Sequence, residues 1–421
     1  MRKMIDKKNF KAGLIGRKLS HSFSPQIHAE LANYSYKITE LEPEDVGAYL
    51  QNGDFDATNV TIPYKKTVLP FLAEITAEAQ KIGSVNTITR TENGLKGDNT
   101  DYFGFLYMLK KSGIAVQNKK CLVLGSGGAS VTVQTVLNDL GAQTVVISRS
   151  GENNYENLAK HKDASVIVNT TPVGMYPNTG AAPVDLHRFE HLDGVLDLIY
   201  NPARTQLLLD AQKLGIPCLN GLSMLTAQAK KACELFLNTK INDNEIDRIT
   251  SKIAFESENI VLIGMPGCGK STAGKRLAER TGRRFADTDE EIVKKAGMPI
   301  PEIFEKYGEA YFRNLEHEAV CDCAKQSGLV LATGGGVIKT PENYDALHQN
   351  GRVIWLQRDI ALLPDDGRPL SQKEGAQKLF AERKPLYTAF CDNTALCSID
   401  ADETAEAIFS AFKAAFEEEN R

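Results

Sequence analysis

The chain is poor in several features that would have decided its class early. No apolar run in its 421 residues approaches the roughly 20 needed to cross a bilayer, so no membrane span is expected. No block of five like charges occurs, and the net charge is −5, which argues against a nucleic-acid face or a membrane-surface patch. The start, Met1-Arg-Lys-Met-Ile-Asp-Lys-Lys-Asn-Phe10, is basic but lacks an apolar core, so it does not read as a signal peptide. Eight cysteines are scattered, and only Cys321-x-Cys323 is close-spaced. Without a second pair or Cys-x-x-Cys spacing, zinc and dithiol chemistry are set aside, and reduced thiols in the cytoplasm are expected. What is present is ordinary soluble material, 42% hydrophobic and 24% charged, in a length that suits about three domains.

The most informative stretch is Asn259-Ile-Val-Leu-Ile-Gly-Met-Pro-Gly-Cys-Gly-Lys-Ser-Thr272. A β-branched run enters a loop with the spacing Gly264-x-x-x-x-Gly269-Lys270-Ser271, which is the phosphate-loop pattern. Glycines let successive N–H groups face a polyphosphate, and the helix that follows adds its positive end. Lys270 would meet the phosphates and Ser271 a Mg²⁺ ion. Further on, Asp287 and Asp289 lie two apart in Phe285-Ala-Asp-Thr-Asp289 and are expected on one face of a short strand. Glu309, Arg313 and Glu316 share a helical face, which by itself reads as an ion-pair stripe. Gly334-Gly-Gly336 ends another strand. Gly367-Arg-Pro-Leu370 precedes a basic helix with Arg383, Lys384 and Tyr387, and arginines there suit either a closing lid or a solvated loop.

A second glycine loop lies earlier, in Lys120-Cys-Leu-Val-Leu-Gly-Ser-Gly-Gly-Ala-Ser130. A strand runs into Gly125-x-Gly127-Gly128, then a helix, then the strand Thr144–Ser148. That is the βαβ setting of a dinucleotide site, although Ser130 replaces the usual small last residue. The second strand ends in Ser148-Arg149-Ser150 rather than in an acid. A guanidinium and hydroxyls suit a 2′-phosphate, so NADP(H) is expected over NAD. The weak pattern between Arg149 and Ala164 implies a degenerate crossover. Ahead of this loop, serines in Leu19-Ser-His-Ser-Phe-Ser-Pro25 are either ligand-binding hydroxyls or caps of the next helix. Lys65 is expected in the first turn of a helix after Pro63, as a site cation or a solvated lysine. Asp101 opens a helix as its cap or as a site carboxylate. A polar linker is expected over 238–258, helical in part.

Two resemblances emerge from these motifs. Residues from about 10 to 237 resemble shikimate dehydrogenase through Ser20-His-Ser-Phe-Ser-Pro25, Asn59-Val-Thr-Ile-Pro-Tyr-Lys65, Gly83-Ser-Val-Asn-Thr87, Asp98-Asn-Thr-Asp101, Asn169-Thr-Thr-Pro172 and Asn220-Gly-Leu-Ser-Met-Leu-Thr-Ala-Gln228. Residues from about 259 to 416 resemble shikimate kinase through the phosphate loop, the Asp287/Asp289 stretch, Gly308-Glu-x-x-Phe-Arg313, Gly334–Gly336, Arg368-Pro-Leu370 and the Arg383…Tyr387 segment.

The first resemblance implies a substrate site of Ser22, Ser24, Thr61, Lys65, Asn86, Asp101 and Gln228, with Tyr200 nearby and Lys65 and Asp101 as the catalytic pair. Its NADP site would take Gly125, Ser126, Gly127, Gly128, Ala129, Ser148, Arg149, Thr170 and Gly221. The second implies that Gly267, Cys268, Gly269, Lys270, Ser271, Thr272 and Arg368 bind ATP, and that Ser271 and Asp287 hold Mg²⁺. Asp289, Arg313, Gly334, Gly335, Gly336 and Arg383 would receive shikimate, with Lys270 and Asp289 in the catalytic set. The lid between Leu356 and Arg368 is short, and the family's adenine-facing arginine has no clear counterpart.

The expected architecture is α/β throughout. A substrate domain covers 1–110, with the 221–237 helix packing back on it, and a Rossmann-like domain covers 111–220. A phosphate-loop domain of the nucleoside monophosphate kinase type covers 259–421. The expected activity is reduction of 3-dehydroshikimate to shikimate, then its phosphorylation. The alternatives are a non-catalytic sensor, or a quinate-preferring NAD dehydrogenase fused to the kinase. Partners are small molecules; the oligomeric state is open.

Overall fold

The computed structural model describes residues 5–19, 22–363 and 373–419. They divide into two compact units. One holds Met1–Val173, Ala182–Tyr200 and Asp210–Ile253; the other holds Gly174–Ala181, Asn201–Leu209 and Ala254–Arg421.

The first unit contains two sheets. One is built from β1 (Ile5–Gly16), β2 (Ala32–Glu40), β3 (Ala57–Val60), β4 (Glu74–Ile75), β5 (Thr87–Thr91) and β6 (Gly94–Asp98), in the order β2-β1-β3-β5-β6-β4. β1 runs parallel to β2 and β3, and β5 is antiparallel to both β3 and β6. The β5–β6 hairpin turns at Glu92-Asn-Gly94, with Gly94 supplying the positive φ (114°) that the tight turn requires. Helices α1 (Ser24–Leu31), α2 (Val46–Asn52), α3 (Ala77–Ile82) and α4 (Asp101–Ser112) complete this part. Ile15, Val46, Leu50, Val60, Tyr64, Val85 and Ile88 form its core.

One expectation fails here. Lys65 is not in a helix: residues 62–68 make consecutive turns after β3, where Tyr64 is packed into the core.

The second sheet is wholly parallel, ordered β11-β10-β9-β7-β8. Its strands are β7 (Lys120–Leu124), β8 (Gln143–Ile147), β9 (Val166–Asn169), β10 (Gly194–Asp197) and β11 (Cys218–Asn220), with α5 (Gly128–Asp139) after β7; α6 (Gln206–Lys213) lies in the chain between β10 and β11. Between β8 and β9 the crossover is only a 3₁₀ turn, Leu158–His161, so β8 is left as the sheet edge. Helix α7 (Leu222–Leu237) packs against α1 and α4, and puts Ala232 and Phe236 on Ala12 and Ala57 of the first sheet. The stretch expected as a linker contains α8 (Asn244–Ser257), whose Ile246, Ile249 and Ile253 are buried. That i, i+3, i+7 stripe gives the helix expected in part of this stretch a buried face.

The second unit has one parallel sheet ordered β13-β14-β12-β15-β16. The strands are β12 (Asn259–Ile263), β13 (Arg284–Asp287), β14 (Leu329–Ala332), β15 (Gly351–Gln357) and β16 (Asn393–Leu396). The helices are α9 (Lys270–Thr281), α10 (Thr288–Ala296), α11 (Ile300–Ala324), α12 (Glu342–His348), α13 (Lys373–Phe390) and α14 (Ala401–Glu419). Both faces of β12 are covered, as a parallel sheet requires. Val261 and Ile263 enter one core with Val353, Trp355 and Tyr387; Ile260 and Leu262 enter the other with Leu277, Ile408 and Phe412.

A second expectation fails here. β13 stops at Asp287, which caps α10 by accepting the Asp289 N–H (2.9 Å), so Asp289 stands on a helix rather than on a strand face shared with Asp287.

Candidate functional site

Chemistry-bearing side chains gather in three places, each at the carboxyl ends of parallel strands, where open α/β sheets present ligands. The first lies beyond β1 and β3. Lys65 Nζ donates to Asp101 Oδ2 at 2.5 Å, and Asn86 Nδ2 donates to Asp101 Oδ1 at 2.9 Å. The Lys65 and Asp101 side chains are 22% and 13% exposed, so the pair faces a cleft rather than bulk water. Three donors converge on Asn86 Oδ1: the Thr100 N–H (2.8 Å), Thr87 Oγ1 (2.9 Å) and Thr100 Oγ1 (3.2 Å). Asn86 therefore has no rotamer freedom left, and it fixes the carboxylate in turn. Thr100, not Asp101, is the N-cap position of α4; the Asp101 carboxylate sits in the first turn, where the helix dipole suits an anion.

Of the other expected residues, Gln228 joins this network and the rest make contacts of their own. Gln228 reaches Thr100 Oγ1 (3.4 Å), the Ser24 N–H donates to Ser22 Oγ (3.2 Å), and the Tyr200 ring stands 5.8 Å from that of Phe23. Burial raises the Tyr200 phenol above its ordinary value. Thr61 sits where a Cβ on Gly16 would touch its methyl at 2.7 Å. Asn59 was quoted only as part of a motif, but it is central. It accepts from Tyr36 OH (2.9 Å) and donates to Thr87 Oγ1 (3.1 Å), extending the buried network across β3 and β5. Ser20 and His21 lie outside the described residues.

The second place is the loop after β7. Gly125 has φ 101°, and a Cβ there would stand 3.0 Å from Thr170 Oγ1, so Gly125 and Thr170 adjoin. A Cβ on Gly127 or Gly128 would meet nothing within 4 Å, and Ser126 is exposed beside them: the mouth of the loop is open at the α5 N-terminus. Ala129 is half-buried in the first turn of α5. Ser148 and the exposed Arg149 lie just beyond β8 at the sheet edge. These features fit a dinucleotide whose 2′-phosphate meets Arg149. Gly221 has a packing reason of its own, since a Cβ there would run into the Leu198 backbone carbonyl.

The third place is the phosphate loop. Gly264, Gly267 and Gly269 all have positive φ (147°, 81° and 101°), the condition for turning successive N–H groups to one side. Lys270 is buried and donates to the carbonyls of Gly264 (2.8 Å) and Met265 (3.0 Å), so the loop holds its own cation at the centre of the cradle. Ser271 Oγ donates to Asp287 Oδ2 at 2.6 Å, pairing the two oxygens that suit a hard divalent ion. Cys268 is buried beneath the loop, and Thr272 is exposed at the start of α9.

Beside the loop, glycines let acidic and basic side chains come close together. A Cβ on Gly334 would stand 2.7 Å from Asp289 Oδ1 and 2.9 Å from Glu316 Oε1, and one on Gly336 would stand 2.6 Å from Arg313 Nη1. Any side chain at these glycines would push into those groups. Arg383 Nη1 and Tyr387 OH both donate to the Gly335 carbonyl, at 2.8 and 2.7 Å. Glu316 was read only as part of a stripe; it is buried and accepts from Arg313 Nη1 at 2.6 Å. Burial raises its carboxyl above the ordinary range, against the pull of Arg313. Arg368 lies outside the described residues.

Such a geometry defines a dinucleotide-dependent oxidoreductase joined to a phosphate-loop kinase. Known proteins sharpen this class. A family model described as the shikimate dehydrogenase substrate binding domain matches residues 14–88, and one described as shikimate kinase matches residues 266–416. The NADP(+) shikimate dehydrogenase of Clostridium beijerinckii is 37% identical over 267 residues, covering 58% of this chain and 98% of that protein. The crystal structure of shikimate dehydrogenase 1 from Peptoclostridium difficile matches with a TM-score of 0.54 at 39% identity, covering 60% of this chain and 99% of that one. That of the Thermus thermophilus enzyme with NADP(H) and shikimate matches with a TM-score of 0.53 at 29% identity, covering 59% of this chain and 99% of that one. The chain belongs to the shikimate dehydrogenase family, and its C-terminal part carries a shikimate kinase domain. Both resemblances drawn from the sequence are thereby borne out. No helix among the described residues is long and apolar enough to cross a membrane.

Proposed function

We propose that this polypeptide reduces 3-dehydroshikimate to shikimate with NADPH and then phosphorylates shikimate with MgATP. The observation that carries the first half is the Lys65–Asp101 pair fixed by Asn86 in a cleft. NADPH, when bound, supplies the hydride. The protein's own task is to deliver a proton to the oxygen that becomes an alkoxide. Lys65 Nζ is the donor, and Asp101 aims it and balances its charge. Ser22, Ser24, Thr61, Asn86 and Gln228 orient the ring through its carboxylate and hydroxyls, with Tyr200 closing one side.

In the kinase half, ATP supplies the phosphoryl group and Mg²⁺ neutralises its charge. Ser271 and Asp287 are the protein oxygens suited to the ion. Lys270 and the loop N–H groups hold phosphate oxygens, and Asp289 accepts the proton of the attacking hydroxyl. Arg313 and Arg383 clamp the substrate carboxylate, a task that suits planar guanidinium groups. Arg368 is assigned to the lid. Little covalent chemistry is asked of the chain in this step; placement and charge carry it. Arg149 supports NADP over NAD, which counts against the quinate–NAD reading. The intact Lys65–Asp101 and Ser271–Asp287 contacts count against a non-catalytic sensor.

The test uses purified full-length protein. Shikimate-dependent NADPH formation and shikimate-dependent ATP consumption should both appear. Absence of either one removes the corresponding half of the proposal.

A further inference from the structure

The phosphate loop has a second cation beside it that neither the sequence motifs nor the proposed mechanism uses. Arg358 directly follows β15, the strand that pairs with β12 on one side and β16 on the other. Its guanidinium Nη1 stands 3.8 Å from the point where a Cβ on Gly269 would be. Gly269 is the last residue of the loop before Lys270, so the guanidinium lies against the outer flank of the cradle.

Arg358 is half-buried, and among the described residues it makes no hydrogen bond or ion pair. The adjacent carboxylate does not answer it: Asp359 Oδ1 accepts the Ala361 N–H at 2.9 Å. On the other side the neighbour is Cys397, whose N–H donates to the Gln357 carbonyl (2.8 Å) and whose thiol feels the Arg358 charge. Lys270 cannot serve this flank, because its donors are turned to the Gly264 and Met265 carbonyls within the loop. A guanidinium partly withdrawn from water, with five N–H donors unspent, is costly to hold unless an anion arrives. The place where it is held is the edge of an N–H cradle built for phosphate.

We propose that Arg358 is a nucleotide-binding residue: its guanidinium takes an oxygen of the ATP polyphosphate from the β15 side, opposite the inward-turned Lys270. The inference rests on the phosphoryl-transfer reading of this unit and adds to it a phosphate contact from a fixed strand end rather than from a moving lid. Being rigidly placed, the contact holds ATP and ADP alike, so it governs nucleotide affinity more than the rate of transfer.

The experiment is calorimetric titration of the full chain with MgATP, MgADP and Mg-tripolyphosphate, using wild type, Arg358→Ala and Arg358→Lys. Loss of one charge-assisted contact should weaken all three ligands by about tenfold or more in Arg358→Ala. Arg358→Lys should recover part of the loss. The KM for shikimate and the melting temperature should stay near wild type. Unchanged ATP affinity in Arg358→Ala would overturn the assignment. So would weakened ATP with unchanged tripolyphosphate, because the guanidinium would then be meeting the base. A wild-type protein that binds MgATP but never phosphorylates shikimate would sink the kinase reading while leaving this binding comparison interpretable.

Discussion

Replacing Lys65 by alanine separates the two halves of the account most cleanly. The ammonium is 2.5 Å from Asp101 Oδ2 in a cleft where the two side chains are 22% and 13% exposed. Its removal takes away the proton donor for the developing alkoxide, a contribution of about 10²–10⁴ in rate. At about 1.4 kcal/mol per decade that is a barrier increase of roughly 3–6 kcal/mol. The fold should lose far less. Asp101 keeps the Asn86 contact at 2.9 Å, and its side chain is 13% exposed, so water can take the place of the lost ammonium. A net cost of about 1–2 kcal/mol is expected for losing that contact. Shikimate-dependent NADPH formation should therefore fall by at least two decades while the protein remains folded and its shikimate-dependent ATP consumption is unchanged. A loss of less than about tenfold would remove Lys65 from the chemistry. A parallel loss of the kinase rate would refute the independence of the two sites.

Two other outcomes follow from the geometry. Asp287→Asn keeps a side chain that can cap α10 but removes a charge from the Ser271 pair; the Mg²⁺ concentration for half-maximal kinase activity should rise at least about tenfold with little change in melting temperature. A normal Mg²⁺ dependence would take Asp287 out of the ion site. His28 is buried against Tyr36 and Phe236, and burial pulls its imidazole down from the ordinary 6.5 to about 3. The unfolded chain then binds a proton that the folded one refuses, so stability is complete above about pH 6.5 and falls as pH drops toward 3. Near pH 5 the deficit is about 2 kcal/mol. His28→Gln should flatten the pH dependence of dehydrogenase inactivation by heat between about pH 7 and 5, and an unaltered slope would contradict this.

The motifs that could be read in advance are those in which spacing alone encodes geometry. The two glycine loops are of this kind, because a strand, a turn with positive φ and a helix N-terminus leave few arrangements. Lys65 was misplaced because Pro63 suggests a helix start, whereas the chain continues in turns whose direction is set by packing of Tyr64 in the core. Asp289 is misplaced by the sequence reading because strand alternation is carried two residues past the end of β13. The sequence Asp287-Thr-Asp-Glu290 has the look of a capping box and would have ended the strand correctly. The helix expected in part of 238–258 is α8, whose three isoleucines stand at helical spacing in an otherwise polar stretch. No local signal marks Asn59, Glu316 or Arg358. Asn59 and Arg358 acquire their roles from partners distant in sequence, at Thr87 and Gly269, whereas Glu316 pairs with Arg313 one turn away in its own helix, and what the helical stripe does not reveal is its burial.

The central claim is that one chain carries two working pockets for the same small cyclic acid. It is tested most directly by mixing the purified protein with 3-dehydroshikimate, NADPH and MgATP and analysing the products over time. The account predicts consumption of NADPH, a shikimate intermediate and its conversion to shikimate 3-phosphate with matching ADP release. Shikimate that accumulates without phosphorylation, or dehydroshikimate left unchanged, would contradict it.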